Sequence, residues 1–267
     1  MTQICQDLHI QKITSITHDI KLLTISSPAI AAQAYPGQFL MVRPLQFSDP
    51  LLPRPFSIHR VRGNSVDILF RVVGEGTKRL SHLNTGELLE VRGPLGRGFR
   101  FDQEQDLVLV AGGMGVAPLL FVAETWKARG RRRGQGSLKV FLGARNRSDL
   151  LCLKEFERAG AEIFPATEDG SWGEKGLVTD LLRKKISRSS PGRILLACGP
   201  EPMLKVVRNW AVARGIPCQV SLETRMACGL GVCLGCVTSR KQGDQFFFVN
   251  VCQEGPVFEA AEVLGDE

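Results

Sequence analysis

Four cysteines near the C-terminus constrain this chain more than anything else in it. Cys228, Cys233 and Cys236 read C-x4-C-x2-C, and fifteen residues then separate Cys236 from Cys252. That is the ligand spacing of a plant-type [2Fe–2S] centre. Three thiolates on one short loop force the loop to wrap around what they bind, and the fourth must come from a more distant segment, here the one ending FVNVC. Gly229, Gly231 and Gly235 let the loop turn tightly and aim backbone N–H groups at the sulfurs, contacts that tune a cluster's reduction potential. A four-cysteine zinc site is the alternative. Zinc usually takes two C-x2-C knuckles, and only one such pair is present.

The start, MTQICQDLHIQK, has neither a basic leader nor an apolar core, and no stretch reaches the ~20 apolar residues of a membrane helix. A cytoplasmic protein is therefore expected, and eight cysteines there mean reduced thiols and metal ligation, not disulfides. Cys5, Cys152 and Cys218 show no partner spacing and read as simple core or surface thiols. Net charge is +7, with a run at Arg129, Arg131, Arg132 and Arg133. The run sits between an expected helix and an expected strand and is flanked by Gly130, Gly134 and Gly136, so it reads as a solvated loop and not a nucleic-acid surface.

At 267 residues there is room for two compact domains plus a cluster module. The first hundred residues are strand-like: IKLLTIS, QFLMVRP, PFSIHRV, SVDILFRVV and ELLEVRGPLG are short apolar or β-branched runs punctuated by Gly, Pro and Asn. They predict a closed antiparallel barrel with one short helix around Thr77–Leu83. From Leu107 the rhythm changes to strands alternating with helical patterns, a βαβ series that predicts a doubly wound parallel sheet covered on both faces. The expected units are 1–101, 102–223 and 224–267, with the first boundary near Phe99–Asp106.

Three motifs in these units suit phosphate chemistry. Arg54-Pro55-Phe56-Ser57 opens a barrel strand, where a guanidinium and a hydroxyl suit a diphosphate, although an arginine capping a surface strand looks the same in sequence. In the following FRVVGEGTKRL, Gly74 and Gly76 free backbone amides, and Thr77 is expected to cap a helix starting at Lys78, an anion site at a helix N-terminus. Gly112, Gly113 and Gly115 lie between the first parallel strand and its helix, where a backbone approaches a pyrophosphate, or where a glycine turn holds nothing. Cys198-Gly199-Pro200 stands at the carboxyl edge of the fourth expected parallel strand, either beside a nicotinamide or as a small buried thiol.

In this order, RPFS, GEGT, GGMGVAP and CGPEPM resemble the ferredoxin–NADP reductase superfamily, and MACGLGVCLGC followed by CQEGPVF resembles the electron-transfer subunits of two-subunit, NAD-linked dihydroorotate dehydrogenases. The resemblance spans almost the whole chain. It implies a flavin-binding barrel, a nucleotide-binding α/β domain and a [2Fe–2S] loop module. Arg54, Pro55, Phe56, Ser57, Phe70, Arg71, Val72, Gly76 and Thr77 would contact FAD, and the four cysteines would ligate the cluster. It further implies a separate FMN-containing catalytic subunit, two of each chain, passing electrons from dihydroorotate through the cluster and FAD to NAD in pyrimidine biosynthesis. Thr224 and Asn250 depart from the charged residues expected at those positions.

The rival from the same superfamily is another FAD/[2Fe–2S] NAD(P)H reductase subunit, resembling ferredoxin–NADP oxidoreductase, where a carboxylate is expected in place of the first cluster cysteine. A non-catalytic zinc module on a degenerate reductase fold is the rival from another class. Nucleotide choice stays open in the residues: Asn146, Arg147 and Ser148 follow LGAR, where an arginine and a serine suit a 2′-phosphate and an acidic residue would suit a free ribose.

Overall fold

A computed structural model describes residues 4–46, 52–102, 105–128, 136–186 and 192–265. The arginine run at 129–133 lies outside the described residues.

The barrel comprises β1 (Ile4–Ser15), β2 (Ile20–Ser26), β3 (Phe39–Pro44), β4 (Arg54–Arg62), β5 (Ser65–Arg71) and β6 (Leu88–Leu95). It closes in the order β1-β2-β5-β4-β3-β6, every pairing antiparallel. Alternate residues point inward, and Leu23, Ile25, Leu40, Val42, Ile58, Val66, Ile68, Leu89 and Val91 fill the interior. Each such side chain contributes about 1.5–3 kcal/mol on leaving water. Helix α1 (Pro28–Gln33) covers one end, its first turn capped by Ser27, whose hydroxyl accepts from the Ile30 N–H at 3.2 Å.

Helix α2 (Glu75–Ser81) is the barrel's short helix, and it corrects one expectation. It begins at Glu75, so Thr77 sits inside the first turn and does not cap a helix from Lys78. Its hydroxyl reaches backwards, accepting from the Val73 and Gly74 N–H groups at 2.9 and 3.1 Å and donating to the Gly74 carbonyl. Side chain and backbone thus close the turn reciprocally.

The second unit is a seven-stranded sheet of β7 (Asp106–Gly112), β8 (Leu138–Ala144), β9 (Glu162–Thr167), β10 (Glu174–Lys175), β11 (Arg193–Cys198), β12 (Cys218–Ser221) and β15 (Val257–Glu259), ordered β10-β9-β8-β7-β11-β12-β15. All pairs are parallel except β12 with β15. The two-residue β10 escaped the sequence pattern, so the strand carrying Cys198 is the fifth in chain order and not the fourth. Strand β7 shows why both faces are covered. Leu107 and Leu109 join the cluster packed under α3 (Val116–Ala128) and α4 (Leu153–Arg158), while Val108 and Val110 join the one under α5 (Val178–Lys185) and α6 (Glu201–Val212). A period of two on an all-apolar strand needs helices on each side.

Barrel and sheet are locked together where α3 lies on β4. Phe121 of α3 enters the barrel core, Arg60 pairs with Glu124 at 2.6 Å, and the buried His59 ring bonds the Ala117 carbonyl at 2.8 Å. Burial pushes His59 down to about 4, so it is neutral at physiological pH.

After β12 the chain makes the cysteine loop, then a hairpin of β13 (Val237–Gln242) and β14 (Gln245–Asn250), then α7 (Val251–Glu254), and returns as β15. Val220 on β12 pairs with Phe258 on β15. Both ends of the cysteine segment are therefore anchored on one edge of the nucleotide sheet.

Candidate functional site

The four cysteine side chains come together from three directions. Cys228 and Cys233 are on the loop, Cys236 starts the hairpin, and Cys252 is on α7. The Cys228 thiol contacts Cys233, and the Cys252 thiol contacts Cys236. Among the described residues, no three His, Cys, Asp or Glu side chains converge as a single ion requires. Two pairs of thiolates are what a two-iron centre takes, one pair to each iron, whereas tetrahedral zinc needs all four around one point. The donor set therefore fits a [2Fe–2S] cluster.

Backbone N–H groups reach the sulfurs as the glycine spacing predicts. Leu230 N–H donates to Cys228 Sγ at 3.2 Å and Gly231 N–H to Cys252 Sγ at 3.1 Å. As a free thiol Cys228 is pushed up by burial, but bonds from Leu230 and Cys233 and other loop groups outweigh this and bring it down to about 6. Burial and the adjacent Cys236 push Cys252 up to about 12. Gly229 is left-handed (φ 70°), and a Cβ there would stand 2.6 Å from Met41 Cγ on β3. Glycine is thus what lets the loop rest directly on the barrel. Arg92 of β6 holds it there, donating to the Cys228 carbonyl at 3.3 Å. Asn250 donates to the Gly231 carbonyl at 3.3 Å, so this departure from the expected basic residue has a local role. Nothing in the structure explains Thr224, whose buried hydroxyl finds no partner among the described residues.

On the barrel, Arg54 and Gly76 meet. A Cβ on Gly76 would lie 3.0 Å from Arg54 Nε, so glycine is what lets the guanidinium lie directly against the first turn of α2. That arrangement fits the diphosphate of FAD. Met41 lies opposite Pro55 in the β3–β4 register, so the RPFS strand is one strand from the cysteine loop. Phe70 is buried in the barrel interior with its ring 5.5 Å from Phe56, which leaves its backbone, not its ring, to face a ligand. Arg71 turns toward the sheet, pairing with Asp19 at 3.1 Å and Asp149 at 3.0 Å.

A cleft of about 540 Å³ opens outside the carboxyl ends of the parallel strands, the expected place for a nucleotide. Gly112, Gly113 and Pro200 line it. Gly113 is left-handed (φ 52°), and a Cβ there would meet nothing, so its backbone faces open space. Gly115, Cys198 and Gly199 stand behind the lining. A Cβ on Gly115 would collide with the Cys198 carbonyl, and the Cys198 thiol is buried. These three bring turn and strand close together.

Sequence reasoning missed Arg145, Glu168 and Glu223, all of which line the cleft. The residues it pointed to instead, Asn146, Arg147 and Ser148, serve a local turn. Asn146 accepts from the Asp149 N–H and the Ser148 hydroxyl, and the Arg147 guanidinium lies over the Trp172 ring at 4.4 Å.

Three family models match successive parts of the chain: an oxidoreductase FAD-binding domain at residues 7–100, an oxidoreductase NAD-binding domain at 109–209, and the iron-sulfur cluster binding domain of dihydroorotate dehydrogenase B at 223–264. The chain is 37% identical to the dihydroorotate dehydrogenase B (NAD(+)) electron transfer subunit of Caldanaerobacter subterraneus subsp. tengcongensis, covering 92% of this chain and 98% of that one. It is 39% identical to the same subunit of Desulforamulus reducens, covering 91% of each. Among solved structures it is similar to the NADH-dependent reduced ferredoxin-NADP oxidoreductase, with 30% identity, a TM-score of 0.81, and 96% of this chain and 89% of that one covered. A ferredoxin reductase of carbazole 1,9a-dioxygenase, 19% identical with a TM-score of 0.70, shares the fold.

Proposed function

This chain belongs to the family of dihydroorotate dehydrogenase B electron transfer subunits, and we infer that its cysteine end receives electrons from an FMN-containing catalytic subunit, two of each chain in the complex, for delivery at the nucleotide cleft. The chain is an oxidoreductase subunit that uses FAD, a [2Fe–2S] cluster and NAD. Bound FAD supplies the exchange between a nicotinamide's hydride and a cluster's single electrons.

The residues have separable tasks. Arg54, Ser57 and Gly76 hold the FAD diphosphate, with the backbone of Phe70, Arg71 and Val72, the strand residues Pro55 and Phe56, and Thr77 shaping the site around them. Gly112 and Gly113 admit the NAD pyrophosphate, Pro200 borders it, and Gly115, Cys198 and Gly199 support that wall. Cys228 with Cys233, and Cys236 with Cys252, take one iron each. The functional boundaries follow the units 1–101, 102–223 and 224–267. We place the protein in the cytoplasm, a reading supported by eight free cysteines; no helix among the described residues is long and apolar enough to cross a membrane. The reductase alternative is not favoured, because the cluster-domain model and the curated relatives carry the dihydroorotate dehydrogenase B name and Cys228 stands at the first cluster position.

One observation carries the partner reading: the cysteine loop and the hairpin after it bear exposed apolar side chains. Val232 is 77% exposed and Leu234 64% on the cysteine loop, and on the hairpin that follows Phe248 is 78% exposed, with Phe246 and Phe247 exposed next to it in sequence. Exposed apolar side chains next to a redox centre make up the composition of an interface core. Replacing Phe246 and Phe248 by Asp should weaken binding of the catalytic subunit tenfold or more in a titration, while NADH still bleaches the flavin of the lone chain. Unchanged subunit affinity would overturn the docking site. Orotate production by the lone chain would overturn the division of labour.

A further inference from the structure

The cysteine loop rests on the outer wall that β3 and β6 give the barrel. Phe39, Met41 and Leu95 of that wall share one buried cluster with Cys236, Val251, Cys252 and Phe258. Gly229 is pressed against the wall, since a Cβ there would stand 2.6 Å from Met41 Cγ and 3.2 Å from Leu95 Cδ1. An apolar seat of this kind holds a loop down but does not fix its position along the wall, because the hydrophobic effect is non-directional. A hydrogen bond does fix it. Beside Met41 in the β3–β6 register stands Arg92.

Arg92 makes that bond. Its Nη1 donates to the Cys228 carbonyl at 3.3 Å and its Nη2 to Glu90 Oε1 at 3.4 Å, while Arg43 of β3 donates to the other Glu90 oxygen. A planar fork can serve loop and carboxylate at once, which a lysine's point charge does less well. Among the described residues, no other cationic side chain bonds the segment from Cys228 to Cys236. Arg97 and Arg240, the cations near the Cys252 end, are paired with Glu254 and Glu262 at 2.9 and 2.8 Å. Asn250, where a basic residue is expected, adds no charge. Arg92 thus brings a positive charge to the backbone of a ligand residue, and at 26% exposure that charge is only partly screened by solvent and salt.

We propose that Arg92 is the positioning residue of the [2Fe–2S] site: it pins the Cys228 end of the loop to the barrel, its charge raises the cluster's reduction potential, and Glu90 limits that rise. The proposal rests on the cluster reading above. Its sign follows from charge alone. Four thiolates leave a bound cluster negative, and an added electron makes it more so. A nearby cation therefore favours the reduced form, and a nearby carboxylate favours the oxidised form. Glu90 acts in that opposite sense without bonding any loop residue among those described.

Potentiometric titration of the intact holo chain, followed by the electron paramagnetic resonance signal of the reduced cluster, reads this directly. Arg92→Gln keeps a donor but loses the charge. Its potential should fall by about threefold to tenfold in the one-electron equilibrium, or about 28–59 mV at 59 mV per tenfold. Glu90→Gln should raise the potential by about threefold. Arg92→Lys keeps the charge and should stay within about twofold of wild type. A merely structural arginine would loosen the loop on removal but would not give shifts of opposite sign in the two charge variants. Unchanged potentials in both, or shifts of the same sign, would overturn the proposal. Should Arg92→Gln lose its iron, Glu90→Gln decides alone, a rise upholding the proposal and no rise overturning it. A wild-type chain with no reducible iron–sulfur signal would overturn the cluster reading, and the positioning role with it.

Discussion

The nucleotide end and the cysteine end of this molecule treat apolar surface in opposite ways. Strand β7 spends nearly every residue on core, with helices over both faces, and its edge opens on a cleft whose walls the chain supplies itself. The hairpin β13–β14 touches the core at its base through Val249 and carries three consecutive phenylalanines that face water. A lone two-stranded hairpin is marginal in water; Arg240 ties this one to Glu262 at 2.8 Å, and in the proposed centre Cys236 and Cys252 at its base would hold iron. One end is finished as a monomer. The other is finished by iron and by another protein.

The sharpest way to break that contrast is to remove a ligand. Cys233→Ala should abolish the cluster outright, because an iron left with one protein thiolate is under-coordinated. Wild-type protein prepared anaerobically should hold about two iron and two sulfide per chain, and the variant neither. NADH should still bleach the variant's flavin, since the cleft is built from the sheet and not from the loop. Stoichiometric zinc in the wild type would overturn the cluster, and loss of NADH reduction in the variant would show that the two ends are not independent.

The FAD site sharpens the comparison by a smaller amount, for it joins the two ends and is built from charge. Arg54→Ala should weaken FAD about tenfold or more, as expected when a charge-assisted bond to phosphate worth roughly 1.5–3 kcal/mol is lost. Equilibrium titration of the apo chain with FAD measures it. Unchanged affinity would mean that Arg54 only bonds the Leu52 carbonyl, which it reaches at 2.6 Å.

How much of this was legible in the sequence follows from whether a feature is local. The cysteine spacing is local chemistry, and it pointed to the segment that the cluster-binding family model also matches. The barrel and the βαβ series were legible because periods of two and of about 3.6 are local as well. What escaped is set by partners distant in sequence. Nothing in PVFE says that Val257–Glu259 pairs with β12, since the instruction lies in the register Val220 with Phe258. Gly115 looked like a phosphate-binding glycine because sequence shows that a side chain is missing but not what fills its place, here the Cys198 carbonyl. Exposure of the Phe246–Phe248 run is likewise not written in its composition, and only the fold reveals it as a surface.

Nucleotide choice is the finest test, and the one where position outweighs residue type. Arg147 and Ser148 have the chemistry to hold a 2′-phosphate but are occupied elsewhere, one on Trp172 and the other on Asn146. Glu168 follows β9 directly and lines the cleft at the end remote from Cys228. A carboxylate there accepts hydroxyls of a free ribose and repels a phosphate on the same carbon, so it is the residue expected to favour NAD. Glu168→Gln keeps the shape and one acceptor but removes the charge, and the preference for NADH over NADPH in flavin reduction should fall a few-fold. Salt should narrow the difference between wild type and variant, because the repulsion acts across an open cleft where ions screen it. A variant with unchanged preference would leave selectivity to another charged side chain of the cleft such as Arg145, which follows β8.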